Sequence, residues 1–148
     1  SHLALPRLFH GRERLDQVEL PPFRAAISAD VASIMVSHVL YDAIDPSVPS
    51  TLSRRVVSDL LRQELGFKGV IISDDLQMKA ISDHHETGRA AVEAVRAGID
   101  LLLCCHDFDQ QMACVDAIAG AIESGQIDHR EVNRSVTRLD HLYDRFVR

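Results

Sequence analysis

No apolar run in this 148-residue sequence approaches the ~20 residues that a membrane-spanning helix needs, so no membrane partner is expected. The opening residues, Ser-His-Leu-Ala-Leu-Pro-Arg, have neither the basic start nor the long apolar stretch of a secretory signal peptide. An initiator Met is absent as well, so the chain is expected to begin inside something larger. Clustered positive charge is missing: 16 Lys and Arg are scattered among 22 Asp and Glu, for a formal net charge of −6. Nucleic-acid binding needs a concentrated basic footprint to neutralise phosphates and is therefore set aside. Cysteine is scarce, and Cys104, Cys105 and Cys114 make a poor disulfide framework, which favours a reducing, cytoplasmic setting. Cys104 and Cys105 continue an apolar run and are expected to be small buried residues rather than ligands. There is no Gly-rich phosphate loop and no nucleophile elbow. His84 and His85 lack a third ligand at motif-like spacing, so neither a metal nor another cofactor is expected.

What is present is an ordinary globular composition, 46% hydrophobic and 26% charged, enough for one core. Apolar runs at Ser33–Val39, Gly69–Ser73 and Asp100–Cys105 read as strands, and their continuous apolarity suits parallel strands buried on both faces. Between and after them lie helical patterns. Ser53 caps a helix with Val56, Val57, Leu60, Leu61 and Leu65 on one face and Gly66 at its end. Thr87–Ala97 and Gln110–Ser124 follow, each closed by a glycine. Asp128 with Glu131 three residues on is a capping box, opening a last helix expected to bury Val132, Val136, Leu139, Tyr143 and Phe146. Before the first strand, Pro21–Ile27 looks helical with proline in its first turn. Strand starts thirty-odd residues apart are those of βαβ units, so the fold class is α/β with parallel strands and right-handed crossovers. About three strands are too few for a (β/α)₈ barrel, which takes roughly 250 residues. The chain is thus expected to be either the C-terminal portion of such a TIM-type barrel, incomplete as given, or a small open sheet. Nothing divides residues 1–148, which read as a single partial domain.

In parallel α/β folds functional groups gather at the C-terminal strand ends. Ser37–His38, Ser73–Asp74–Asp75 and Cys105–His106–Asp107 stand there. A carboxylate directly after Val-Ile-Ile is held by a rigid strand and can be aimed at a substrate. It could serve as nucleophile, general base, metal ligand or phosphoacceptor; the structural alternative is an N-cap for a short helix starting at Leu76, a role suiting Asp75 better than Asp74.

The segment Glu64-Leu-Gly-Phe-Lys-Gly-Val-Ile-Ile-Ser-Asp-Asp-Leu-Gln-Met78 resembles glycoside hydrolase family 3, and within it the bacterial β-N-acetylhexosaminidases that recycle peptidoglycan. In that family a Gly-Phe-x-Gly segment leads into a barrel strand ending in Ser/Thr-Asp, and the match puts the nucleophile at Asp74. Leu20-Pro-Pro-Phe-Arg-Ala-Ala-Ile27, Ile34-Met-Val-Ser-His-Val-Leu-Tyr41, Pro49-Ser-Thr-Leu-Ser53 and Ala97-Gly-Ile-Asp-Leu-Leu-Leu-Cys-Cys-His106 extend the resemblance in the family's order. At the N-terminus Ser1-His2-Leu-Ala-Leu-Pro6 is similar to the end of the family's Asp-Ser/Thr-His and Leu-Pro motif, so His2 matches its acid/base histidine. The Asp partner would precede Ser1, as would the family's Lys-His loop and the Arg and Asp that grip the sugar.

The resemblance implies retaining hydrolysis of a terminal β-linked N-acetylglucosamine on muropeptide-type sugars, without a cofactor. Asp74 would form a covalent glycosyl-enzyme and His2 would act first as acid and then as base. His38 and His106, at strand ends, are candidate sugar-binding residues. The 148-residue chain alone is expected to have little or no activity, and its open strand edges could support self-association. Val70-Ile-Ile-Ser-Asp-Asp-Leu-Gln-Met78 also looks like the phosphoacceptor strand of a receiver domain. That fold needs an acidic pair after its first strand and a later strand-end Lys, and the chain has neither. A non-catalytic homologue that keeps the fold is the other alternative.

Overall fold

The computed structural model describes residues 5–147. Its centre is a parallel sheet of three strands, β2 (Ser33–Val36), β4 (Val70–Asp75) and β5 (Leu101–Leu103), in the order β2-β4-β5. A second sheet pairs β1 (Arg7–Leu8) with β3 (Leu40–Tyr41), also in parallel. Neither short strand was expected, since two-residue strands carry no periodicity. β2 accordingly stops at Val36, short of the expected Val39.

Register shows how the sheet uses its two faces. Met35 pairs with Ile72 and Ile72 with Leu101, so the three form one row across the sheet. Met35 is 53% exposed and Leu101 38%, so this face is open. Ile34, Val36 and Ile71 point the other way, into the core with Val57, Ala90, Ala94 and Ile99. Burial on both faces is therefore corrected among the described residues: helices cover one face only.

The covering layer includes Arg55–Glu64, a π-helix rather than the expected α-helix, with Leu65 N–H bonded to the Leu60 carbonyl. The apolar spacing at Val56, Val57, Leu60 and Leu61 buries the same side chains in either winding. Ser53 does approach the Val56 N–H, at 3.4 Å, while its hydroxyl donates to Asp45 at 2.7 Å. Helix α1 (Arg12–Arg14) runs into a π-turn, Leu15–Glu19, and α2 (Pro21–Ser28) starts on its prolines as expected. The short α3 (Lys79–Ser82) follows β4, with Met78 rather than Asp75 at its N-cap position. Helix α4 (Thr87–Ala97) is capped by the Glu86 carboxylate, which accepts from the Gly88 and Arg89 N–H groups. It ends at Gly98, whose φ of 112° and close approach to Ser58 leave no room for a Cβ. Helix α5 (Phe108–Glu123) packs on α4.

Helix α6 (His129–Phe146) opens on Asp128, which accepts from the Arg130 N–H. None of its residues is buried, and Val136, Tyr143 and Phe146 are exposed, contrary to expectation. Its anchorage is polar instead. Ser135 and Arg138 donate to Asp100 at 2.7 and 2.8 Å, and Arg145 pairs with Asp30. The fully buried Asp100 carboxylate also accepts from the Ile71 N–H and pairs with Arg62, so one carboxylate ties β4, β5, the π-helix and α6 together.

Candidate active site

Asp74 and Asp75 are adjacent on an extended strand, so they face opposite sides of the sheet. Asp74 shares the parity of Ile72 and stands on the open face. It is half-buried, and one carboxylate oxygen accepts the Asp75 N–H at 2.9 Å. The other oxygen has no hydrogen-bond partner among the described residues.

Asp75 lies on the helix side and is committed. One oxygen accepts from Gln77 N–H at 3.1 Å and from Cys105 N–H at 3.2 Å; the other faces His106 Nε2 at 3.0 Å. Its carboxylate thus closes the turn after β4 rather than capping a helix. The β4–β5 ladder is irregular between Ile72 and Asp75, and side chains bridge the gap: Ser73 Oγ accepts from Leu103 N–H at 2.9 Å. Gln77 Oε1 accepts from the N–H groups of His106 and Asp107, at 2.6 and 3.1 Å. Together Asp75 and Gln77 clasp the loop after β5 onto the end of β4. Sequence reading missed Gln77, because nothing in a single polar residue past a strand shows which loop it will meet.

His38 was expected to line the sugar pocket, and the structure corrects this. The ring is 2% exposed, with Nδ1 2.7 Å from Thr51 Oγ1 and Nε2 2.9 Å from the Asp75 carbonyl oxygen. A carbonyl can only accept, so Nε2 carries a proton. Burial pushes the imidazole below its ordinary pKa, opposed by that carbonyl and by the charges of Asp74 and Asp75. The neutral ring then has an unprotonated Nδ1 facing the Thr51 hydroxyl, whose one proton is also within reach of the Ser37 and Val36 carbonyls at 3.1 and 3.3 Å. Strand parity was the overlooked signal, because His38 continues the series Ile34, Val36 on the covered face.

The His106 side chain is 75% exposed at the rim, beside Asp75, the residue that follows Asp74. Cys105 is exposed rather than buried as expected, Cys104 is half-buried and Cys114 is buried. Burial, with the neighbouring Cys114, pushes the Cys104 thiol up to about 12, so it is no nucleophile at neutral pH. His2 lies outside the described residues. A groove of about 970 Å³ is lined by Arg54, Arg89 and Asp128 among others, and by none of His38, Asp74, Asp75 and His106.

The Glycosyl hydrolase family 3 N terminal domain matches residues 1–142. Beta-hexosaminidase A of Pseudoalteromonas piscicida is 32% identical over 96% of this chain, and the beta-hexosaminidase of Alkalilimnicola ehrlichii is 41% identical over 72%. The chain spans 27% and 30% of the length of these two curated relatives. Among solved structures, a glycoside hydrolase family 3 beta-N-acetylglucosaminidase from Paenibacillus sp. str. FPU-7 superposes on 98% of the chain with a TM-score of 0.96 and 49% identity. The chain covers 28% of that structure. The beta-N-acetylglucosaminidase of Thermotoga maritima superposes on 93%, with a TM-score of 0.86 and 29% identity, the chain covering 31% of it. The three parallel strands with their one-sided helical cover are thus a segment of a TIM-type α/β barrel, and no closed barrel is formed among the described residues.

Proposed function

Because the chain belongs to glycosyl hydrolase family 3, we propose that it carries the nucleophile of a retaining β-N-acetylhexosaminidase, with Asp74 as that nucleophile. One observation carries the choice of residue. Of the two consecutive carboxylates, Asp74 faces the open side with one oxygen uncommitted among the described residues, while Asp75 spends both oxygens on the turn and on His106.

In the reaction, ionised Asp74 attacks the anomeric carbon of a terminal β-linked N-acetylglucosamine. The glycosidic bond breaks through an oxocarbenium-like transition state, and the leaving oxygen takes a proton from His2. A water molecule then gives its proton to His2 and its oxygen to the anomeric carbon, releasing Asp74. A histidine fits both proton transfers because it titrates near neutral pH, and such a group contributes about 10²–10⁴-fold in rate. The Asp75 N–H holds one oxygen of Asp74 and so limits the carboxylate's rotation before attack. His106, exposed at the rim beside Asp75, is assigned to sugar contact. Muropeptide-type sugars as substrate and a cytoplasmic site of action belong to the same proposal, the latter resting on the unpaired Cys104, Cys105 and Cys114.

The test uses the complete encoded polypeptide, treated with a 5-fluoro N-acetylglucosaminide and mapped by peptide mass spectrometry. A sugar-sized adduct on Asp74 is expected, and Asp74→Asn should lower kcat by about 10³-fold or more. A wild-type protein that leaves the probe unconsumed, with Asp74 unlabelled, would instead establish a non-catalytic homologue.

A further inference from the structure

We propose that His38 is a positioning residue for Asp74, acting through the backbone of Asp75 and held in turn by Thr51. The inference rests on Asp74 being the nucleophile. His38 is fully enclosed at the end of β2, yet its Nε2–H reaches across to the carbonyl of Asp75, at the end of β4, at 2.9 Å. The same residue, Asp75, offers its N–H to Asp74 Oδ1 at 2.9 Å. The imidazole therefore fixes the backbone unit whose other end holds the attacking carboxylate. On its far side Nδ1 meets Thr51 Oγ1 at 2.7 Å, and Thr51 is itself completely buried in the 3₁₀ turn Ser50–Leu52.

The arrangement is more than core packing. A histidine in an apolar interior is costly unless both nitrogens are matched, and a leucine or phenylalanine would fill the space without that demand. Here both nitrogens are matched, and one match lies on Asp75, whose backbone N–H also binds Asp74. The β4–β5 ladder is irregular between Ile72 and Asp75, the stretch that contains Asp74, and resumes at the Asp75–Leu103 pair with Leu76 N–H bonded to the Leu103 carbonyl at 3.0 Å. Next to that irregular stretch, a cross-strand tether from His38 at the end of β2 adds a restraint on Asp75 from the side opposite β5. The shortfall it prevents is one of position, and misplacing a reacting group by about 1 Å can cost about 10²-fold in rate.

The distinguishing pair of variants is His38→Gln and His38→Asn. The glutamine amide nitrogen can occupy the Nε2 position and still donate to the Asp75 carbonyl, whereas the shorter asparagine reaches only the Nδ1 position. In the complete polypeptide, His38→Asn should slow covalent labelling of Asp74 by the 5-fluoro sugar about tenfold or more and lower kcat with little change in KM. His38→Gln should recover most of both rates. Thr51→Val should show a smaller loss that Thr51→Ser restores. In the wild-type chain, ¹⁵N-correlated NMR of the His38 ring should show a slowly exchanging proton on Nε2 and none on Nδ1. Equal labelling rates for the Gln and Asn variants, with wild type labelled on Asp74, would overturn the positioning role and leave the nucleophile standing. So would rates that follow melting temperature alone, or a proton on Nδ1 in place of Nε2. A wild-type adduct on another residue would overturn both.

Discussion

Removing the carboxylate of Asp100 should loosen the sheet and release α6. The Asp100 side chain is fully buried and answers four groups: Arg62, Arg138, the Ser135 hydroxyl and the Ile71 N–H. Arg62 is largely buried, and desolvation lowers its pKa, with Asp100 as the main opposing influence and Arg138 adding to the fall. In Asp100→Ala two guanidinium groups lose the counter-charge they share. Breaking a buried pair by deleting one partner costs about 3–5 kcal/mol. The stranded Ile71 N–H adds about 1 kcal/mol, although losses within one network overlap. A total of about 4 kcal/mol is a large share of the ~5–15 kcal/mol that holds a typical domain. At this chain length it corresponds to a Tm lower by roughly 10 °C or more. Asp100→Asn keeps an acceptor for Ile71 and should cost about 2–3 kcal/mol.

Urea unfolding and calorimetry give these magnitudes, and hydrogen exchange locates them. Because α6 has no buried residue and is held by Ser135, Arg138 and Arg145, protection in His129–Phe146 should fall before that of β4. A loss below about 1 kcal/mol, with α6 still protected, would refute the reasoning, since the arginines would then be solvated and the helix held by something else.

Two further outcomes follow from the same structure. Gly98→Ala should cost more than Gly125→Ala, roughly 2–3 kcal/mol against about 1, because both have positive φ but only Gly98 would place a Cβ 2.7 Å from Ser58 Oγ; denaturant midpoints measured side by side check the order. His38 should make stability fall on acidification: its folded pKa lies below the ordinary 6.5, so below that pH the unfolded chain binds the extra proton more readily and the favourable contribution present at higher pH is lost as pH falls towards the folded value. Urea midpoints at about pH 7.5 and about pH 5 should therefore diverge more in the wild type than in His38→Gln, and equal divergence would show that other groups carry the effect.

Much of this was open to a reader of the sequence, for reasons tied to particular residues. Val70–Ile72 is a β-branched run set off by Gly69, whose Cβ would collide with the Ala32 carbonyl, so strand and boundary have separate causes. α4 shows itself through Ala90, Ala91 and Ala94 on one face and Gly98 at its end. Other features had no local signal. An i, i+4 apolar pattern does not tell a π-helix from an α-helix, so Arg55–Glu64 could be placed but not wound correctly. The stripe Val136, Tyr143, Phe146 reads as a buried face although the helix is docked by its polar side chains. Asp100 looked like the start of a strand, and its four partners come from segments 29 to 38 residues away, beyond the reach of any local pattern.

The candidate site itself depends on the oldest rule of strand geometry, the alternation of faces. Ile71, Ser73 and Asp75 turn to the helices, and Ile72 and Asp74 to the open face. Two identical side chains in succession thereby receive opposite duties. Asp75 can be fully committed to Gln77, Cys105 and His106 without costing the site a carboxylate, and its commitment holds the backbone N–H that restrains Asp74. The same parity on β2 sends His38 inward after Ile34 and Val36, to the one place from which it can reach the Asp75 carbonyl. A one-residue slip of β4 would put Asp75 on the open face, turn Asp74 to the covered one and break the His38 tether at once. The register is therefore fixed by the same contacts that aim the carboxylate.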